Sequence, residues 1–258
     1  MELSEKARRM KEYFNAGGNS IKSEVMRIRA QHQEHQQHQE AHQQDVTSRN
    51  FDIRLNSVSD FKRCIGVQNE HGMCETHSIW FHCSFEQIEL SDMARRMKEC
   101  PNAGGNSVES EVMSFELFHR CFGAKLFQTE MEIAYDPRGG PMVDYTCEMF
   151  GVSVGVSVTR AMKYKAEFEK EDAEDLLRKK LKGLHRATQN AKDRWSKKVL
   201  HIWATSPDVA EKLTSEYKML CEDESSTHLT SEVFIMVTVV NDEHHSMFKS
   251  PKRKKRGK

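Results

Sequence analysis

From residue 108 onward the chain switches repeatedly between two hydrophobic periods. "SEVMSFELFHRCFG" (110–123) sets Val112, Phe115, Leu117, Phe118 and Phe122 at largely helical spacing and ends on Gly123, a helix-closing residue. "AKLFQTEMEIAY" (124–135) reads as a strand, closed by the turn-forming "DPRGGP". In "MVDYTCEM" (142–149), Val143, Tyr145, Cys147 and Met149 form one face, and Asp144, Thr146 and Glu148 the other, the period of a half-buried strand. "GVSVGVSVT" (151–159) alternates Val152, Val154, Val156 and Val158 with Ser153, Gly155, Ser157 and Thr159, so its second face is unusually small.

An acid-rich start opens a helix in "EKEDAEDLLRKKLKGL" (169–184), with negative charge at the end that favours it and Ala173, Leu176, Leu177, Leu181 and Leu184 on the inner side. "KVLHIWAT" (198–205) is a further strand. "SPDVAEKLTSEYKML" (206–220) begins a helix with Ser206 as N-cap and Pro207 at the first helical position. "EVFIMVTVV" (232–240) is apolar on both faces apart from Thr238, as a central parallel strand is. The predicted order is α-β-β-β-α-β-α-β, an α/β (α+β) domain over 108–241 in which helices flank a mixed sheet.

Residues 1–107 give no comparable pattern and are expected to lie outside the folded unit, disordered or poorly structured. "ELSEKARRMKEYFNAGGNSIKSEVM" (2–26) recurs as "ELSDMARRMKECPNAGGNSVESEVM" (89–113), identical at 19 of 25 positions with an offset of 87. Two copies do not make a solenoid; a recent segmental duplication, or a gene model that joined a duplicated exon, is the expected origin. Between them, residues 31–44 carry seven Gln and four His in fourteen positions, a composition that cannot bury a core. Cys64, Cys74, His77, His82 and Cys83 show no paired spacing of the kind zinc sites use, so no metal site is assigned.

The longest apolar runs fall far short of a membrane span, which predicts no membrane partner. Seven cysteines at irregular spacings suit free thiols rather than a disulfide framework. Net charge is zero, but residues 249–258, "KSPKRKKRGK", hold seven basic residues and no acid, leaving 32 basic against 39 acidic residues elsewhere. The expected tail, 242–258, with Lys252, Arg253, Lys254, Lys255 and Arg256, resembles a monopartite nuclear localisation signal and implies an import receptor and a nuclear location. The basic segment 178–198 and the tail are the two places suited to a nucleic-acid backbone.

This element order, with Asp144 on its second strand, resembles the core of the PD-(D/E)XK, or restriction endonuclease-like, fold over about 110–240; the stretch is also similar to eukaryotic proteins without an assigned activity. The resemblance implies a reactive acid on the second strand and a (D/E)-x-K motif on the third. A turn centred between Phe150 and Gly151 makes cross-strand partners sum to about 301, setting Asp144 opposite Ser157 and Met142 opposite Thr159. Ser157 and Thr159 therefore occupy the positions where the family carries its second carboxylate and its lysine.

Two functions follow as expectations. One is a non-catalytic nuclear binding or scaffold module on a nuclease-like frame, with no cofactor. The alternative is a divergent nuclease acting on DNA or RNA with magnesium, which needs clustered anionic oxygens and a cation. For that alternative, Glu116 or Glu148 supplies a second carboxylate beside Asp144, and Arg160, Lys163 or Lys165 replaces the lysine. Each of these residues also has an ordinary role open to it: Asp144 as a strand residue or a partner of Arg160, Glu116 as a helix acid.

Overall fold

The computed structural model describes residues 44–56, 58–66, 73–101, 107–241 and 248. In chain order the elements are β1 (Gln44–Thr47), β2 (Phe51–Leu55), α1 (Val58–Gly66), β3 (Met73–Phe81), α2 (Asp92–Glu99), α3 (Val108–Phe122), β4 (Lys125–Thr129), β5 (Tyr145–Met149), β6 (Val152–Ala161), α4 (Lys170–Asn190), β7 (Lys197–Ala204), α5 (Pro207–Glu222), α6 (Thr227–Thr230) and β8 (Val233–Val240). All eight strands join one sheet in the order β1-β2-β3-β8-β7-β6-β5-β4. The protein is thus of the mixed α/β class.

One half of the sheet is a meander, β4, β5 and β6 pairing antiparallel; β6, β7 and β8 then run parallel, joined by the crossovers that contain α4 and α5. Parallel neighbours need such long connections, and burial on both faces explains why β7 and β8 are buried at every position. Helices α1, α2 and α3 cover one face, where Phe61, Ala94 and Phe115 meet Tyr145, Val156 and Phe234. Helices α4 and α5 cover the other, where Leu177, Leu181 and Leu213 meet Leu200 and Ile235.

The folded unit begins earlier than the periodicity suggests. Residues 44–99 supply three strands and two helices, and β3 pairs in parallel with β8, so β8 lies inside the sheet rather than at its border. The residues that do this are few and scattered: Phe51, Ile53, Leu55, Phe61, Ile65 and Ile79 are buried, each separated from the next by polar neighbours. Among the described residues no group of three or more His, Cys, Asp and Glu is arranged to hold a metal ion. Cys74 instead donates to Thr214, and His77 accepts the Asn56 N–H through Nδ1. Residues 1–43 and 249–258, with the first repeat copy, the Gln/His stretch up to residue 43 and Lys252–Arg256, lie outside the described residues.

The strand expected over 124–135 is also shorter, ending at Thr129. Glu132 turns back to accept the Thr129 N–H at 2.8 Å, which closes a single 3-10 turn over Glu130–Glu132. Elsewhere the local chemistry acts as its residues require. Gly123 ends α3 with φ +66°, a conformation that costs glycine nothing. Ser206 caps α5 through the Val209 N–H. The small face of β6 has a packing reason: Trp195 lies flat over Gly155, where an added Cβ would come within 2.6 Å of the indole. The ring is held there by a hydrogen bond from Nε1 to Thr188 Oγ1.

Candidate functional site

The β5–β6 hairpin turns through Phe150 and Gly151, both at positive φ, and its register pairs Tyr145 with Val156, Thr146 with Gly155 and Glu148 with Ser153. Asp144 sits one residue before β5 and continues the ladder, its N–H donating to Val156 O at 2.9 Å. Its carboxylate then turns onto β6. Oδ2 accepts the Val158 N–H at 2.6 Å and the Ser157 hydroxyl at 3.2 Å. The neighbour that hairpin geometry assigns to Asp144 is thus in contact with it, and it is a donor.

Three further charged groups converge on Asp144. Glu111, in the first turn of α3, hydrogen-bonds carboxyl to carboxyl with Asp144. Glu130, just beyond β4, adds a second negative field, and Lys180 of α4 an opposing positive one. Lys180 Nζ itself donates to Val158 O at 3.3 Å. Burial, followed by Glu111, pushes the Asp144 carboxyl up from 3.8 to about 7, against the pull of the Val158 N–H and Lys180. Glu111 is raised for the same first reason, its burial. Two carboxyls in hydrogen-bond contact hold one proton between them more readily than two full charges. Tyr135 closes this side: its hydroxyl accepts the Val143 N–H at 3.0 Å, and burial with the nearby acids lifts it to about 12. Tyr135 also lines a cleft of about 450 Å³ together with Met131, Arg138, Met142 and Lys192.

The other acids expected here are elsewhere. Glu116 is fully buried on α3, where it accepts the Ser91 N–H at 3.0 Å and hydroxyl at 2.6 Å and pairs with Arg120, fixing the start of α2. Glu148 is four strand positions from Asp144, about 13 Å along β5, and pairs with Lys125 at 3.3 Å. Among the cations, Lys163 is bound to Asp172 in the first turn of α4 at 2.8 Å, and Arg160 acts on Glu109. Thr159 is partly exposed on β6, one residue beyond Val158. So the structure gathers Asp144 and Ser157 and adds Glu111, Glu130, Lys180 and Tyr135, none of which the periodicity singles out. One signal was present: Glu116 and Arg120 stand at i,i+4, a pairing distance on a helix, which marks Glu116 as already engaged.

Two other clusters bring reactive or basic side chains together. Ser114 and His201 approach to 2.7 Å, with Tyr145 OH on the serine at 2.9 Å and Thr238 on the far ring nitrogen at 2.9 Å. A serine beside an imidazole has the outline of a nucleophile and base, but Ser114, Tyr145, His201 and Thr238 are all fully buried. No substrate carbonyl reaches that serine; the four groups satisfy one another inside the core. The basic segment 178–198 is also divided. Arg178 pairs with Glu174 at 2.8 Å, and Lys197 and Lys198 are buried, Lys198 beside Glu232 at 3.5 Å. Lys179, Lys182 and Arg186 remain exposed, spaced three and four apart along one face of α4.

No family model matches the sequence, and no solved structure matches it. Over 136 residues, half of this chain, it is 42% identical to the AAC-rich mRNA clone AAC4 protein of Dictyostelium discoideum. The match spans a fifth of that protein's length.

Proposed function

We propose that this chain is a non-catalytic binding or scaffold protein on a nuclease-like frame of the PD-(D/E)XK kind, carried to the nucleus by the basic tail. The observation that carries the reading is what Asp144 does. Its Oδ2 accepts two hydrogen bonds from β6, and its carboxyl is joined to Glu111, so a bare pair of anionic oxygens is not what this corner offers. A hard divalent ion needs such oxygens at about 2 to 2.6 Å and gains little from a hydroxyl that already donates to the acid. The frame itself supports the resemblance: a meander of three strands followed by a parallel strand, with the acid at the start of the second. Binding then rests on surfaces, and the exposed row Lys179, Lys182 and Arg186 and the tail suit a phosphate backbone.

A second reading has one observation in its favour. Glu111, Glu130 and Lys180 assemble around Asp144 from three different elements, which is the company a divergent magnesium nuclease would need, with Glu111 in the part first given to Glu116. Calorimetric titration of magnesium into the parent chain and into Asp144→Ala separates the two. The non-catalytic reading expects the same small heats from both proteins. Saturable binding in the parent that is lost on Asp144→Ala would replace it with the second. Loss of nuclear accumulation on deleting residues 249–258 tests the tail.

A further inference from the structure

The segment that follows β4 folds back on the end of α4. The Asp136 N–H donates to Asn190 O at 2.8 Å and the Lys192 N–H to Ala134 O at 2.9 Å, with Tyr135 and Ala191 facing each other as a single antiparallel bridge. Pro141 lies close to Gly183, and Gly140 close to Asn190, which seats the rest of the loop along the same helix. The Tyr135 ring is fixed at its far end, where the hydroxyl accepts the Val143 N–H. The cleft of about 450 Å³ is lined by this anchored loop and by Lys192.

Two kinds of surface meet there. Met131, Tyr135 and Met142 give an apolar, polarisable wall, and Met131 is 53% exposed. Arg138 and Lys192 add two positive charges, and neither side chain has a partner among the described residues. Glu132, the acid that lines the cleft, is already taken: Arg96 donates to both of its oxygens, at 2.6 and 2.7 Å, and the Thr129 N–H to one of them. The Gly139 and Gly140 N–H groups are likewise uncommitted among the described residues. Unneutralised positive charge, open backbone donors and an apolar wall therefore share one small space.

We propose that this cleft binds a small phosphate monoester with a flat aromatic body, of the size of a mononucleotide. The Arg138 guanidinium is a fork suited to two phosphate oxygens, and Lys192 adds a point charge. Glycine backbone, having no Cβ, lets an anion approach its N–H groups closely. The aromatic body packs on the two thioethers and the Tyr135 ring. A volume of about 450 Å³ falls within the range of small-molecule sites and suits one nucleotide unit rather than a strand. The ligand thus differs from the repeated phosphates assigned to the exposed row on α4.

Calorimetric titration of adenosine 5′-monophosphate into the full chain tests this, with adenosine and inorganic phosphate as partial ligands. The parent is expected to bind the nucleotide saturably and each partial ligand about tenfold or more weakly. Arg138→Gln and Lys192→Gln are expected each to weaken nucleotide binding by about tenfold. Both residues are exposed, so the variants keep the fold, checked by circular dichroism. Lys218→Gln, an equally exposed change on α5, should leave binding as it is. No saturable binding of the nucleotide by the parent, or binding unchanged in both cleft variants, would overturn the proposal. So would inorganic phosphate binding as tightly as the nucleotide, or a phosphorylated oligonucleotide binding where the nucleotide does not.

Discussion

Ser157 donates its hydroxyl to Asp144 across the β5–β6 hairpin at 3.2 Å, beside a second donation from the Val158 N–H at 2.6 Å. The pair fixes the character of this corner of the sheet. A carboxylate at position 157 would repel Asp144; a hydroxyl there satisfies it. Strand pairing brings the two residues together, and the residue type at 157 makes the contact a hydrogen bond across the hairpin.

The Asp144 corner makes stability fall as pH rises through a defined window. Unfolded, Asp144 loses its proton near pH 4; folded, near pH 7, because burial and Glu111 disfavour its charge. Its contribution therefore turns against folding between those values and is complete above pH 7, a difference of roughly 2 to 4 kcal/mol. Asp144→Asn keeps an acceptor for Val158 and removes the charge. In urea unfolding, this variant is expected to exceed the parent in stability at pH 8 and to lose that advantage by pH 4. A difference that stays constant with pH would show that Asp144 is not the titrating group.

Gly155 is expected to reject a methyl group. The added Cβ meets the Trp195 indole at 2.6 Å, and the ring is anchored to Thr188. Gly155→Ala should cost about 1 to 3 kcal/mol and Gly155→Val more, read as a lowered urea midpoint with an unchanged slope.

Glu116 acts on stability alone. Removing its carboxylate strands the Ser91 N–H and the Arg120 guanidinium and loosens the start of α2. Glu116→Ala should cost about 2 to 4 kcal/mol and increase exchange of the α2 amides. Nucleic-acid affinity, measured at matched salt, should not change.

His201 predicts the opposite pH dependence to Asp144. It is buried between Ser114 and Thr238 and held neutral, its pKa lowered by burial from 6.5 to about 3. Below pH 6.5 the unfolded chain gains a proton that the folded chain refuses, so stability is lost on acidification. His201→Ala should cost about 3 kcal/mol at pH 7 through a cavity and two stranded hydroxyls. That deficit should shrink at pH 5, as the parent loses the part of its stability that depends on a neutral His201 and the variant has no such part to lose.

The strong periods carried much of the architecture. Helix α3 with Gly123, the β5–β6 hairpin and its register, and the Ser206 cap are all local patterns, and each is set by neighbours in sequence. The remaining elements are held by pairing between distant parts of the chain. Strand β3 is read as a strand only once β8 lies beside it, since Glu75 and His77 interrupt its apolar face and are buried by the sheet. The site divided in the same way. Ser157 followed from counting across a turn, whereas Glu111, Glu130 and Lys180 reach Asp144 from three separate elements, which no spacing along the chain expresses. Glu116 looked equally suitable as a helix acid, and only the packing of α2 against α3 shows that Ser91 and Arg120 claim it.

The central claim, that Asp144 secures the hairpin and does not cleave phosphodiesters, is tested most directly by incubating the full chain and Asp144→Ala with DNA and RNA in millimolar magnesium. The expected result is no cleavage above background by either protein. Cleavage by the parent that disappears in Asp144→Ala, with the variant still folded by circular dichroism, would contradict it.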